Sequence, residues 1–185
     1  MGRTEKIKKI STPLSDEAIM GMSAGDRVLI SGTVYTARDA AHKRMSEIMA
    51  EGGDMPFDFQ GQIVYYAGPS PARPGAAIGS IGPTTSGRMD LYSPALIRRG
   101  LKAMIGKGVR SGLVKLAIAE CGGVYMVAIG GAAALISRSV RSARIIAFPD
   151  LGTEAIRRLD VEDFPAIVAI DPHGNDIYDM YDTYG

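Results

Sequence analysis

Residues 124–148, VYMVAIGGAAALISRSVRSARIIAF, alternate between the pattern of a strand and that of a helix. The apolar run 124–129 predicts a buried strand, and Gly130-Gly131 leads into a helix predicted over 132–140. Residues 144–148 predict the next strand. The alternation continues on both sides, with helices predicted over 111–120 and 153–159 and strands over 166–170 and 176–178. This order predicts an α/β fold, in which helices pack on a mixed sheet or on two small sheets.

The first half of the chain alternates less regularly. Strands are predicted over 27–31, 62–67 and 76–81. Helices are predicted from Ser15, from a capping box of Thr36 and Asp39 to about Ala50, and from Ser93-Pro94 to about 105. The length fits a single domain over residues 1–185, in which residues 1–25 are expected to form a lead-in arm.

Composition excludes several classes of protein. Of the 185 residues, 46% are hydrophobic and 22% are charged, and the net charge is +1, so no overall basic field favours nucleic acid. The N-terminal residues lack the apolar run of a signal peptide, and no uncharged apolar run approaches the roughly 20 residues that span a bilayer. We therefore expect a cytoplasmic protein with no membrane or nucleic-acid partner.

Metal and disulfide chemistry is limited by residue counts. The chain has one cysteine, Cys121, and two histidines, His42 and His173. A cysteine-rich iron–sulfur or zinc site cannot be built from this chain alone, and no metal ligand is expected on it. Cys121 is expected to be a buried structural thiol and His173 to be exposed in a polar turn. Residues 100–108 resemble a P-loop, but their glycines are one residue too far apart.

The stretch most informative about function is 82–90, GPTTSGRMD. Three consecutive hydroxyl side chains, Thr84, Thr85 and Ser86, lie between Gly-Pro and Gly-Arg. A carboxylate bound there would accept hydrogen bonds from hydroxyls, backbone N–H groups and the planar fork of Arg88. The same residues also suit a plain Ser/Thr-rich turn in which Arg88 pairs with Asp90. The residues alone leave both interpretations open.

Two further glycine-bearing loops carry cations. Arg38 is predicted in the first turn of a helix, where a cation opposes the helix dipole but suits an anion site beside free N–H groups. Lys107 and Arg110 flank another glycine-rich loop, where exposed surface charge is an equal alternative. His42, on the helix that begins beside Arg38, is a candidate ligand contact. Three cationic loops favour a substrate with more than one negative charge, and a dicarboxylate suits them better than a nucleotide.

Several segments in order resemble one known family. They are 32–42 (GTVYTARDAAH), 66–69 (YAGP), 82–90 (GPTTSGRMD), 107–108, 110–111, 130–134 (GGAAA) and 164–166 (FPA). Together they are similar to the β subunit, or C-terminal domain, of class I (iron–sulfur) fumarate hydratases and L-tartrate dehydratases. The resemblance extends from about residue 11 to about 178. It implies a swivelling β/β/α domain.

The resemblance also implies a partner. A partner α subunit would carry a 4Fe-4S cluster through its own cysteines, the active site would lie between the chains, and the assembly would be an α2β2 hetero-oligomer. By the same resemblance, Arg38, Arg88 and Lys107 match the ligands of the substrate carboxylates, and Thr84 matches the residue proposed to transfer a proton. His42, Thr85, Asp90 and Arg110 are possible further contacts.

Three functional hypotheses remain. The first is the β subunit of a hydro-lyase that reversibly hydrates fumarate to malate. The second is the β subunit of an L-tartrate dehydratase that gives oxaloacetate, which differs by one substrate hydroxyl. The third, from another class, is a non-catalytic dicarboxylate-binding module that binds its ligand tightly without a partner.

Overall fold

The computed structural model of the chain describes residues 7–128 and 133–182. Within them lie seven strands, six α-helices and two 3-10 segments. The strands are β1 Lys8–Ser11, β2 Arg27–Thr36, β3 Ile63–Tyr65, β4 Ala103–Gly106, β5 Val124–Ala128, β6 Val140–Ala147 and β7 Ile156–Ile170. The helices are α1 Asp16–Met20, α2 Asp39–Ala50, α3 Ser93–Arg98, α4 Gly112–Cys121, α5 Ala133–Ser139 and α6 Ile177–Asp182. The 3-10 segments are Ser86–Met89 and Pro149–Glu154. The prediction of a mixed sheet with packed helices is confirmed.

The strands form one sheet that closes on itself. Its order is β1-β2-β3-β4-β5-β7-β6, and β2 also pairs with β7. Strands β1 to β5 pair in parallel, whereas β7 is antiparallel to β2, β5 and β6. The pairing of β2 with β7 joins β2, β3, β4, β5 and β7 into a ring. Among the described residues, strand β1 pairs only with β2 and lies outside this ring. It falls within residues 1–25, which were expected to form a lead-in arm.

The two faces of the sheet bury separate apolar cores. Because successive strand residues point to opposite faces, each strand contributes alternate side chains to each core. Ile63, Ile105 and Met126 lie in the core enclosed by the ring. Val64, Met104 and Tyr125 lie in the outer core, against the helices. Helices α2, α3 and α4 contribute Met45, Leu96 and Ile118 to the outer core.

Local signals explain the ends of two helices. The Ser15 hydroxyl accepts a hydrogen bond from the Ala18 N–H at 3.1 Å, so the predicted start near Ser15 is confirmed. Helix α4 ends at Gly122, whose φ of 62° lies in the left-handed region that glycine adopts without a Cβ penalty. The helix predicted over 111–120 matches α4 to within a residue at each end.

Two predictions in the C-terminal part are wrong. The helix predicted over 153–159 is instead a 3-10 segment followed by β7. Phe148 and Gly152 adopt positive φ there, and β7 pairs with β2 on one side and β6 on the other, so sheet pairing overrides helical spacing. The strand predicted over 176–178 is wrong as well. A single bridge joins Ile170 to Asp176, and the Asp176 carboxylate accepts from the Tyr178 N–H at the start of α6.

Other boundaries also differ. Residues 76–81 form a loop, although Ile78 and Ile81 are buried. Helix α3 stops at Arg98, because Gly100 has a φ of 102°, and residues 103–106 are β4. Its N-cap is Tyr92, while the predicted cap Ser93 donates its hydroxyl to the Met89 carbonyl.

The capping box predicted at the start of α2 is absent. Thr36 is the last residue of β2, and its hydroxyl accepts a hydrogen bond from the Arg157 N–H. The N-cap of α2 is Arg38, which makes no capping hydrogen bond with its side chain. Residues 129–132, which include Gly130-Gly131, lie outside the described residues.

Candidate active site

The predicted site residues lie beyond the carboxyl ends of neighbouring parallel strands. Arg38 follows β2, Tyr66 directly follows β3, and Lys107 directly follows β4. Because β2, β3 and β4 are parallel, their carboxyl ends meet at one edge of the sheet. Ligands of α/β proteins typically bind in the crevice at this edge. The fold therefore brings three of the predicted loops together.

The loop 82–90 is joined to its neighbours by backbone hydrogen bonds. The Thr84 N–H donates to the Tyr66 carbonyl at 2.7 Å, and the Ser86 N–H donates to the Lys107 carbonyl at 2.9 Å. Isolated bridges pair Ala67 with Pro83 and Thr85 with Lys107. The hydroxyl loop therefore extends the ladder beyond β3 and β4, and its position is fixed by the sheet.

Thr84 has its hydroxyl proton engaged. Its Oγ1 donates to the Tyr66 carbonyl at 2.8 Å, and the residue is half-buried. Its oxygen lone pairs remain available to accept a hydrogen bond. In the part of the chain that the structure describes, no carboxylate or imidazole bonds this hydroxyl. Within the described residues, therefore, no base is placed to activate Thr84. Thr85, its neighbour, is exposed.

Each of the two candidate arginines is held by an acidic side chain. Arg88 Nη2 forms an ion pair with Asp39 Oδ2, and Arg38 Nε lies 3.4 Å from Glu154 Oε1. The alternative that Arg88 pairs with Asp90 is therefore wrong. The Arg38 side chain is 23% exposed and that of Arg88 is 53% exposed, so both remain accessible. The sequence pattern did not predict Asp39 or Glu154 as a partner of these arginines, and it assigned Asp39 to the capping box.

Lys107 differs from both arginines. It is exposed, and in residues 7–128 and 133–182 no carboxylate lies within 4.0 Å of its ammonium group. The cation stands at the end of β4, directly beside the bridge to the hydroxyl loop. Lys107 thus presents a free positive charge beside Thr84 and Thr85.

Arg110 and Asp90 form a buried node beneath the loops. The Arg110 side chain is fully buried, and its Nε lies 2.6 Å from Asp90 Oδ1. Its Nη2 donates to Ser93 Oγ at 2.8 Å, and the Ser111 N–H donates to the other Asp90 oxygen at 2.6 Å. Burial lowers the pKa of Arg110, but the surrounding Tyr66 and Asp90 groups outweigh this and raise it. The Asp90–Arg110 pair therefore joins the loop 82–90 to the loop that follows β4.

His42 lies behind Arg38, inside the protein. It is 1% exposed, and its Nδ1 lies 2.8 Å from the Arg38 carbonyl, so Nδ1 carries the proton. Its Nε2 is buried with no hydrogen-bond partner. Burial lowers the pKa of His42 to about 4, opposed by the Arg38 hydrogen bond and reinforced by the Arg110 charge. His42 is therefore neutral at physiological pH and fixes the backbone of Arg38 rather than reaching the surface.

Two glycines permit close approach within the site. A Cβ on Gly106 would lie 1.9 Å from Ser86 Oγ and 3.0 Å from Tyr66 Cδ2. A Cβ on Gly68 would lie 2.8 Å from the Thr153 carbonyl and 3.3 Å from the Arg38 side chain. These positions explain why the strand ends after β3 and β4 carry glycine.

The described residues also bear on metal binding and membrane insertion. In that part of the chain, no three His, Cys, Asp or Glu side chains are placed to share a metal ion. Cys121 is free and only half-buried, in contrast to the expected buried thiol, and His173 is exposed as expected. No described helix has both the length and the apolarity needed to cross a bilayer.

Known proteins resemble this chain over nearly its full length. A family model described as Fumarase C-terminus matches residues 2–181. Fumarate hydratase 2 of Leishmania major is 42% identical over 156 residues, which cover 83% of this chain and 28% of that protein. The aerobic class I fumarate hydratase of Escherichia coli K12 is 42% identical over 154 residues, covering 82% of this chain and 28% of the enzyme. A Methanocaldococcus jannaschii protein, provisionally named L(+)-tartrate dehydratase subunit beta, is 38% identical over 172 residues, covering 90% and 88% of the two chains.

The ring-closed mixed sheet, with cations and hydroxyls at its carboxyl edge, defines an α/β domain with a polar, cation-bearing edge. The chain belongs to the fumarase C-terminus family, whose members include class I fumarate hydratases and a tartrate dehydratase β subunit. The match covers less than a third of the length of the L. major and E. coli fumarate hydratases.

Proposed function

We propose that this chain is the β subunit of a hydro-lyase that interconverts fumarate and malate, and that it binds the substrate carboxylates. The observation that supports this most is the set of cations and the hydroxyl at one sheet edge, namely Arg38, Arg88, Lys107 and Thr84. Backbone hydrogen bonds fix their loops, and one of the cations has no partner in the described chain. Such preorganised charge suits a ligand that carries two negative charges.

The two arginines and the lysine have different roles in this proposal. The planar fork of Arg88 suits a carboxylate with two oxygens, whereas Lys107 acts as a point charge. Asp39 is ion-paired with Arg88 before substrate binds, and Glu154 lies near Arg38 Nε without a hydrogen bond to it. Because these pairs are partly exposed, exchanging one carboxylate partner for another costs little. Arg38 and Arg88 are therefore held ready for a substrate.

Thr84 contributes an acceptor in its resting state. Its proton already bonds the Tyr66 carbonyl, so its lone pairs face a substrate C–H or O–H group. The neighbouring Lys107 charge would favour a partly deprotonated hydroxyl. We propose that Thr84 takes part in proton transfer, with a base from the partner chain completing the step.

The 4Fe-4S cluster is proposed to lie on a partner α subunit. The residues of this chain do not fit it, because Cys121 is the single cysteine and ends α4, at the opposite end of the sheet from the site. On the partner, a cluster would supply a Lewis acid for the substrate hydroxyl. The name of the M. jannaschii relative, a subunit beta, supports a two-chain assembly, for which we propose α2β2.

A second substrate is supported by a specific observation. This chain covers 88% of the M. jannaschii protein, so the two match nearly end to end. The fumarate hydratases match only as part of a longer chain. L-tartrate dehydration to oxaloacetate is therefore the second candidate activity, and it would use the same cations.

Variant kinetics in the intact complex test the proposal. The tagged chain is isolated anaerobically from its own cells with its partner and assayed with fumarate and with L-tartrate. Replacing Arg88 with Ala should cost about 2–5 kcal/mol of transition-state stabilisation, because a charge pair buried in the complex is lost. The control is Arg98→Ala, since the Arg98 side chain is 54% exposed and also ion-paired, like that of Arg88. A near-wild-type kcat/KM for Arg88→Ala would refute the carboxylate-binding role.

A further inference from the structure

Two open grooves flank the Pro-rich loop 69–80. One has a volume of about 400 Å³ and borders β6 and β7, and the other has about 340 Å³ and borders α5. Ser70, Pro71, Ile78 and Gly79 line both, so the loop is a wall that the two grooves share. We call them together the arginine groove, defined by its four cations Arg73, Arg138, Arg144 and Arg157.

The arginine groove carries uncompensated positive charge. Two of its arginines line each half, and no Asp or Glu is among the described residues that line it. Arg73, Arg138 and Arg144 form no ion pair in the described part of the chain. Arg157 donates to main-chain carbonyls of residues 152–155, and burial lowers its pKa because no carboxylate offsets it. Since the net charge of the whole chain is only +1, this concentration of positive charge is local to the groove.

One wall of the groove is formed by β6 and its neighbour β7. The groove meets Ala143, Arg144 and Ile145 of β6 and also Arg157 of β7, which pairs with Ile145. The groove therefore lies over the β6–β7 pair. Ile145, 47% exposed, adds apolar surface.

The groove also adjoins the candidate active site. It begins at Pro69, directly after Gly68, which approaches the Arg38 side chain. Thr153 lines it and precedes Glu154, the ion-pair partner of Arg38. A chain that completes the active site over Arg38 would therefore continue into the groove.

We propose that the arginine groove docks an extended acidic segment of the cluster-bearing partner chain. This inference rests on the proposed function for the identity of the partner. Arginine clusters recognise acidic segments, because each planar guanidinium group can bind both oxygens of a carboxylate. A small anion would suit an enclosed pocket better than two open grooves. The segment's carboxylates would lie against the four arginines, and an apolar side chain of the segment against Ile145.

Charge reversal in the anaerobically isolated complex tests the docking. The double variant Arg138→Glu with Arg144→Glu should weaken association of the two chains at least tenfold, most strongly at low salt. The control double variant, Lys9→Glu with Arg98→Glu, makes the same change in net charge on exposed residues outside the groove and should stay within about twofold. Hydrogen exchange should show protection of residues 69–80 and 140–147 in the complex relative to the chain alone.

The outcomes separate this inference from the proposed function. Unchanged association of the groove variant would overturn the docking, as would recovery of the chain without any partner. Protection of the same segments by malate, or by self-association of the chain alone, would assign the groove to a small anion or a second copy and also overturn it. A wild-type complex that depends on the groove but converts neither fumarate nor L-tartrate would support the docking and refute the proposed function.

Discussion

His42 makes the stability of the protein depend on pH in a predictable direction. The unfolded His42 binds a proton below its ordinary pKa of 6.5, whereas the buried ring resists protonation down to about pH 4. The folded state therefore binds fewer protons between these values, and stability is present above pH 6.5 and lost as the pH falls. The full pKa difference, 6.5 − 4, corresponds to roughly 3 kcal/mol, of which about 2 kcal/mol is lost by pH 5.

Urea unfolding of the chain at pH 7.5 and at pH 5 measures this loss. Replacing His42 with Gln removes the titrating ring, so the difference in unfolding free energy between the two pH values should shrink by about 2 kcal/mol. The control is His173→Gln, since His173 is exposed and should leave the difference unchanged. If His42→Gln shows the same pH dependence as the wild type, the buried, neutral assignment of His42 is wrong.

Three other perturbations have definite expected results. Arg110→Ala should destabilise the fold by about 3–5 kcal/mol in urea unfolding, because its buried carboxylate partner, Asp90, is left unpaired. Arg98→Ala, at an exposed ion pair, should cost under about 1 kcal/mol. Equal effects would contradict a buried Asp90–Arg110 pair. Gly106→Ala should cost about 1–3 kcal/mol of stability, because the added methyl group overlaps Ser86 in the hydroxyl loop. Gly112→Ala should not destabilise, since its methyl group would meet no atom within 4 Å. The unfolding free energies of the two variants in urea would show the contrast. Lys107→Met should change the free energy of unfolding by less than about 0.5 kcal/mol, since the ammonium group has no partner in the described chain. The same variant should lower kcat/KM of the complex roughly tenfold or more. Full activity of the variant would show that Lys107 does not belong to the site.

The fold was largely predictable where local signals and burial agree. The apolar runs behind β3 and β5 are buried on both faces, so their β-rich composition is not diluted by exposed residues. Helix α4 was predicted because its apolar spacing and the following glycine point to the same end. The helix predicted over 153–159 failed because that segment pairs with β2, from a distant part of the chain, as well as with the preceding β6. Such non-local pairing leaves no mark on local periodicity.

The candidate site shows the same division. The loops bearing Arg38, Arg88 and Lys107 were singled out by residue type, and parallel pairing of β2, β3 and β4 places them at one edge. The charge partners were not predictable, because the pairing of Arg88 with Asp39 crosses nearly fifty residues of sequence. The alternative in which Asp90 pairs with the nearby Arg88 was wrong, because Asp90 pairs with the buried Arg110 instead.

The arginine groove has no counterpart in sequence motifs. Its cations come from the Pro-rich loop, α5, β6 and β7, which the fold brings together. A scan for charge runs misses them because they are dispersed along the chain.

We propose that this chain forms one half of an active site completed by a cluster-bearing partner. Fumarate hydration is assayed for the anaerobically isolated complex, for this chain alone and for the complex after exposure to air. We expect activity in the anaerobic complex alone, and L-tartrate turnover in place of fumarate hydration would keep the mechanism and change the substrate. Tight malate binding by the isolated chain, with no activity in any complex, would contradict the half-site proposal and favour a dicarboxylate-binding module.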